Sequence, residues 1–149
     1  EREKIMAYIS QERKKQLAPN IKAVLKKYGV KGTIGIKHHM SLVVNISASH
    51  FDFVGMQNAK NKEIADRRGM PYYENTNKYI QVNTYHIDSH WDDEAKNFFN
   101  ELVEAMKGDE WFDESDLMSD YHHVDFYVDI NVGKWNKPYV CTQQEAMAA

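Results

Sequence analysis

His123, Asp125, Tyr127 and Asp129 recur at every second position. On a β-strand that spacing brings side chains to one face, with neighbours ~6.5–7 Å apart. A histidine beside a carboxylate is the pairing of a general base, the acid orienting the imidazole. His123, Asp125 and Asp129 are therefore the candidate catalytic residues of a His/Asp or metal-assisted hydrolase. Asp125 and Asp129 would stand ~13 Å apart, too far for the paired-carboxylate chemistry of glycosidases. The plainer use of such alternation is a wet outer sheet face. His86 and His90, with Asp88 and Asp92 close by, are the candidate metal ligands. Histidines do bind metals at such spacings, but no HExxH is present and Cys141 is the only cysteine. The duller account makes Ser89, His90 and Asp92 competing caps at a strand-to-helix junction. No metal or other cofactor is expected.

Charge is divided along the chain in a way the net value of −3 conceals. Residues 1–37 hold ten Lys or Arg against three Glu, whereas residues 108–133 hold eight Asp or Glu and no Lys or Arg. A field of one sign steers partners and repels wrong ones. The acidic stretch carries aromatics, so Asp109, Glu110, Trp111, Phe112, Asp113, Glu114 and Asp116 are the candidate partner-binding residues. Their carboxylates would imitate nucleic-acid phosphates or dock on a basic protein, with Trp111 and Phe112 as anchors. The bland alternative tucks both rings under the sheet edge. Homodimerisation is a related expectation, the basic helix of one copy meeting the acidic segment of another. Lys14, Lys15, Lys22 and Lys26 form a basic face that would suit phosphates. A sequence pI of about 6.2 lies well below the footprint of a dedicated nucleic-acid binder, however.

Other chemistries lack their signatures. Gly29, Gly32 and Gly35 fit neither GxGxxG nor GxxxxGK[ST], and neither GxSxG nor CxxC occurs. One cysteine excludes an internal disulfide and suits a reducing cytoplasm. No apolar run approaches ~18 residues, so no membrane span is expected. No secretory signal is visible, and Met6 reads as a natural start.

The elements that would position these residues follow from periodicity. Ser10 caps a first helix in which Leu17, Ile21, Val24, Leu25 and Tyr28 share a face, and Gly29 stops it. Pro19 should kink that helix or begin another. Residues 33–37 and 42–47 read as a hairpin around His38-His39-Met40. Residues 51–68 read as a weak, partly helical excursion, 69–77 as a loop, and 78–85 as a third strand. Trp91, Ala95, Phe98, Phe99, Leu102, Val103 and Met106 define the clearest helix, capped by Asp92 and stopped by Gly108. Residues 123–132 alternate strictly and form the strongest strand.

The expected fold is α+β: a mainly antiparallel four-stranded sheet with two main helices packed on one face. A single domain over 6–141 is expected, with flexible ends at 1–5 and 142–149. The other sheet face would carry Lys37, Asn45, Gln81, Asn83, His123, Asp125, Tyr127 and Asp129.

Residues 17–22 and 26–32, His39-Met40-Ser41-Leu42-Val43-Val44-Asn45-Ile46, Phe51-Asp52-Phe53-Val54-Gly55 and 127–139 together resemble small uncharacterised proteins of tailed bacteriophages and prophages. The helix–strand–strand start also looks distantly like an accessory domain of large polyvalent phage and plasmid proteins. The likeness spans most of 16–139 and is weakest over 56–77. It implies origin in a mobile element and carries no catalytic motif. The expectation is an accessory protein of the host-cell cytoplasm that binds a host or phage macromolecule through a charged surface, without turnover. A protein partner is favoured over nucleic acid.

Overall fold

In the computed structural model, residues 8–76, 78–113, 125–134 and 137–142 are described. Helix α1 spans Gln11–Lys27, and the Ser10 side chain accepts the Arg13 N–H at 3.0 Å. Leu17, Ile21 and Leu25 are its buried stripe. Pro19 lies inside it, yet the helix is one element. The ring lies on the exposed side of the helix, where the carbonyl that it leaves without an N–H partner can bond to solvent. Gly29, at φ 67°, turns the chain so that Val30 N–H reaches the Leu25 carbonyl at 2.8 Å.

Strands β1 (Lys31–Lys37) and β2 (Ser41–Ser49) form an antiparallel hairpin. His38 and His39 both take positive φ (55° and 60°), and Met40 N–H bonds to the Lys37 carbonyl. This is the turn whose twist matches the strands, made here by residues that pay a steric penalty for it. Replacing His38-His39 by Asn-Gly is expected to raise stability by about 0.5–1 kcal/mol. Thermal unfolding followed by circular dichroism checks this; an unchanged or lower midpoint would contradict it.

Helix α2 (Phe53–Arg68) is regular, where periodicity suggests only a weak excursion. It buries just Phe53 and Ala65 and is held by its ends. Asp52 caps it by accepting the Gly55 N–H, and Gly69 closes it in the left-handed region. Strand β3 is confined to Ile80–Val82, shorter than the expected 78–85, because the chain turns at Asn83, whose side chain accepts the Tyr85 N–H. A four-residue helix α3 (Ile87–His90) precedes α4 (Asp93–Lys107). α4 buries Ala95, Phe98, Phe99, Leu102 and Met106. Asp92 occupies the α4 cap position without a side-chain cap bond; its carboxylate pairs with Lys60 at 3.0 Å.

Strand β4 spans Tyr127–Val132 and β5 spans Val140–Cys141. The sheet runs β1-β2-β4-β3, with β5 on β2. β3 and β4 are antiparallel, but β2 pairs β4 in parallel, Ser41 opposite Tyr127 through Ile46 opposite Val132. β5 continues along β2 in parallel, Val140 opposite Ala48. The fold is α+β as expected, but among the described residues the sheet is mixed and five-stranded, with four helices. The expected four-stranded sheet with two helices is thereby corrected. A connection that includes α2, β3, α3 and α4 separates β2 from β4, long enough for the chain to return in the same direction. Leu42, Val43 and Val44 are buried in succession, as suits a central strand flanked by β1 and β4.

Helices α1 and α4 pack on each other and reach β1 and β4 respectively. Phe51, Phe53, Trp91, Phe98, Phe99 and Tyr139 join Leu42, Val44, Ile46, Ile130 and Val132 in the core. Tyr139 closes a small ring of hydrogen bonds. Its hydroxyl donates to the Phe51 carbonyl at 2.7 Å, Ser49 Oγ meets the same hydroxyl, and Phe51 N–H donates to Ser49 Oγ at 3.1 Å. Burial pushes the Tyr139 phenol up to about 12. A phenol raised on folding contributes stability that is complete below its unfolded pKa near 10 and lost as pH climbs through about 12. Tyr139→Phe should therefore flatten part of the alkaline fall in stability, as read by urea melts between pH 9 and 12. Equal slopes for the two proteins would refute this. Of the ends expected to be flexible, 1–5 and 142–149, all but residue 142 lie outside the described residues.

Candidate functional site

The basic face is on view at three of its four lysines. At 100° per residue, Lys15, Lys22 and Lys26 fall within ~40° of arc on α1 and span ~16 Å of its axis. All three are exposed, and Lys14 is half-buried on the flank. Among the described residues none of the four makes an ion pair. Lys27, on another side, bonds Glu101 of α4 at 2.8 Å, and Tyr28 donates to the same carboxylate. Those two bonds hold Glu101 below its usual range and raise Lys27 and Tyr28. The lysine stripe thus stays exposed, while its neighbours Lys27 and Tyr28 clamp α1 to α4.

The alternating quartet is divided by the structure. β4 begins at Tyr127, and Asp125 lies before it, its N–H donating to the Phe112 carbonyl. The Asp125 side chain is 11% exposed and takes the Arg13 guanidinium at 2.9 and 3.4 Å. Arg13 also lies over the Phe126 ring, 5.2 Å from its centroid. Asp125 therefore fastens the start of α1 to the chain entering β4. It does not stand on one strand face with Asp129, as the alternation suggests. His123 lies outside the described residues. A half-buried carboxylate needs a cation, and Arg13, far away in sequence, meets that need.

Asp129 stays on the open sheet face, half-buried and among the described residues without an ion pair. It lines a shallow groove of about 280 Å³ with Gly35, Lys37, Val43, Asn45 and Asn131, and with Tyr79 and Lys134 at one end. Tyr79 and Lys134 are the members that alternation did not single out. Tyr79 was legible in principle, two residues before the outward Gln81. Lys134 follows β4 only because Gly133 turns there.

His86 stands at the cap position before α3 and His90 is its last residue; their ring centroids are 5.6 Å apart and both are exposed. Among the described residues no group of three or more His, Cys, Asp or Glu side chains is placed to hold a metal. Asp109 and Glu110 are exposed, as is Asp113. Trp111 is half-buried; its Nε1–H donates to the Phe126 carbonyl at 2.7 Å, and the Lys107 ammonium sits 4.1 Å from its ring centroid. Phe112 is 36% exposed. Glu114 and Asp116 lie outside the described residues.

A larger cleft, about 800 Å³, opens between the start of α2, the 71–79 loop and β5, lined by Asp52, Asn58, Glu74, Tyr139 and Cys141. Asp52, Asn58 and Cys141 serve the fold there. Asn58 accepts the Asn75 N–H at 2.8 Å and returns a bond to the Asn75 carbonyl, while the Cys141 thiol points to the His50 carbonyl at 3.6 Å. Among the described residues no helix is long and apolar enough to cross a membrane. No family model, curated protein or solved structure matches the chain.

Proposed function

We propose that this protein is a phage or prophage accessory protein of the host cytoplasm that works by binding a macromolecule, without turnover. The favoured partner is a protein with an acidic surface, engaged through the exposed side of α1. The observation that carries this reading is the stripe of Lys15, Lys22 and Lys26, exposed and without ion pairs among the described residues. Lysines on a helix solvate it in any case. A stripe of one sign with no carboxylate interleaved also steers an acidic surface into register. The resemblance to small phage and prophage proteins supports the mobile-element origin.

The test is capture from bacterial lysate at low and moderate salt. The native chain is compared with a Lys15→Glu, Lys22→Glu, Lys26→Glu variant. The expected result is a protein retained by the native chain, released by salt and absent with the variant. Capture indifferent to both salt and charge reversal defeats the reading.

A further inference from the structure

Beyond that helix-borne surface, we propose that the open face of the sheet binds single-stranded nucleic acid, its bases stacked on Tyr79 and Tyr127 and its phosphates held by Lys37 and Lys134. The face is built in rows across the strands. Thr33, Asn45, Asn131 and Gln81 stand opposite one another on β1, β2, β4 and β3. Gly35, Val43 and Asp129 form the next row, then Lys37, Ser41 and Tyr127.

Two aromatic rings end this surface. Tyr79 is 37% exposed and Tyr127 42% exposed. Their places at opposite ends of β4 put them ~20 Å apart along the sheet, room for a strand of about four nucleotides. Between them the surface is flat. Gly35 carries no side chain, and a Cβ there would meet nothing within 4 Å. A base laid over that row meets amides: Asn131 Nδ2 donates to Asn45 Oδ1 at 3.2 Å, which leaves the Asn45 amine and the Asn131 carbonyl for base edges.

Charge decides which part of a nucleotide faces the sheet. Asp129 in the middle repels a phosphate and accepts the exocyclic amine of a base. Lys37 and Lys134 line the same groove, are exposed, and among the described residues make no ion pair. Bases therefore lie inward and the backbone follows the lysines. A protein partner fits this face less well. Among the described groove-lining residues the aliphatic side chains belong to Ile36 and Val43; Val43 is buried and Ile36 packs against the core, so no large apolar anchor projects into the groove. A duplex is excluded because its π-faces are stacked inside it and out of reach of the tyrosines.

Fluorescence anisotropy of fluorescein-labelled oligonucleotides of about 12 nucleotides tests this, using deoxy and ribo single strands and the duplex of the same sequence. At low salt a single strand should bind more tightly than the duplex. Tyr79→Ala and Tyr127→Ala should each weaken it about ten-fold, and Tyr79→Phe and Tyr127→Phe should retain it. Lys37→Ala or Lys134→Ala should reduce the slope of log affinity against log salt by ~0.7. The α1 charge-reversal variant should keep its dependence on the two tyrosines, which separates this surface from the helical one. No single-strand binding at low salt overturns the proposal. So does equal duplex binding, or native affinity in natively folded Tyr→Ala proteins, or a protein captured in place of nucleic acid through the same tyrosines.

Discussion

Phe53→Ala is expected to lower the free energy of unfolding by about 3–5 kcal/mol, the range for deleting a fully buried aromatic. Phe53 is wholly enclosed. Its ring centroid lies 5.0 Å from Phe51 and Phe99, 5.5 Å from Tyr139, 5.7 Å from Trp91 and 6.1 Å from Phe98. Those rings come from the end of β2, from α4 and its approach, and from the segment entering β5. One truncation therefore loosens the joint where the helices meet the sheet. It is also the first residue of α2, next to the Asp52 cap, so the cavity opens where that helix is anchored. At roughly 2–4 °C per kcal/mol for a chain of this size, the midpoint should fall by about 6–20 °C. A loss under about 1 kcal/mol in urea melts would mean that the ring cluster is not packed as described.

Gly133→Ala should cost about 2–4 kcal/mol, combining left-handed strain with overpacking. Gly133 has φ +73°, and a Cβ there would lie 2.5 Å from the Lys78 carbonyl oxygen and 2.7 Å from the Tyr139 nitrogen. Those two atoms are partners, Tyr139 N–H donating to Lys78 at 2.9 Å. The methyl group would push apart the strap that seats Tyr139 and aims Lys134 at the open face. Gly35→Ala is the control. Open space and an ordinary strand conformation there predict a change within about 0.5 kcal/mol. If the two substitutions cost the same in parallel denaturation curves, the close approach at Gly133 is not what constrains it.

Local signals are legible where one residue type decides the outcome. Ser10, Gly29 and Gly108 mark ends that the helices respect. The stripe from Trp91 to Met106 is buried as its spacing requires. α2 was hidden because it depends on caps at Asp52 and Gly69 and shows little apolar periodicity. The alternation over 123–132 extends past the strand's start at Tyr127, because it continues through Asp125 and Phe126. There, pairing with Arg13 and with the Phe112 carbonyl takes over.

Composition and periodicity by themselves determined an α+β chain with amphipathic α1 and α4, a β1–β2 hairpin and an uneven spread of charge. Such features depend on neighbours within a few residues, and those are written in order along the chain. Only the tertiary structure decided that β4 lies parallel to β2, that Asp125 belongs to Arg13, and that Tyr79, Asn45, Asp129 and Lys134 share one groove. Each of those joins residues far apart in sequence. Register and burial choose such partners through the summed packing of the whole core, which no single segment encodes.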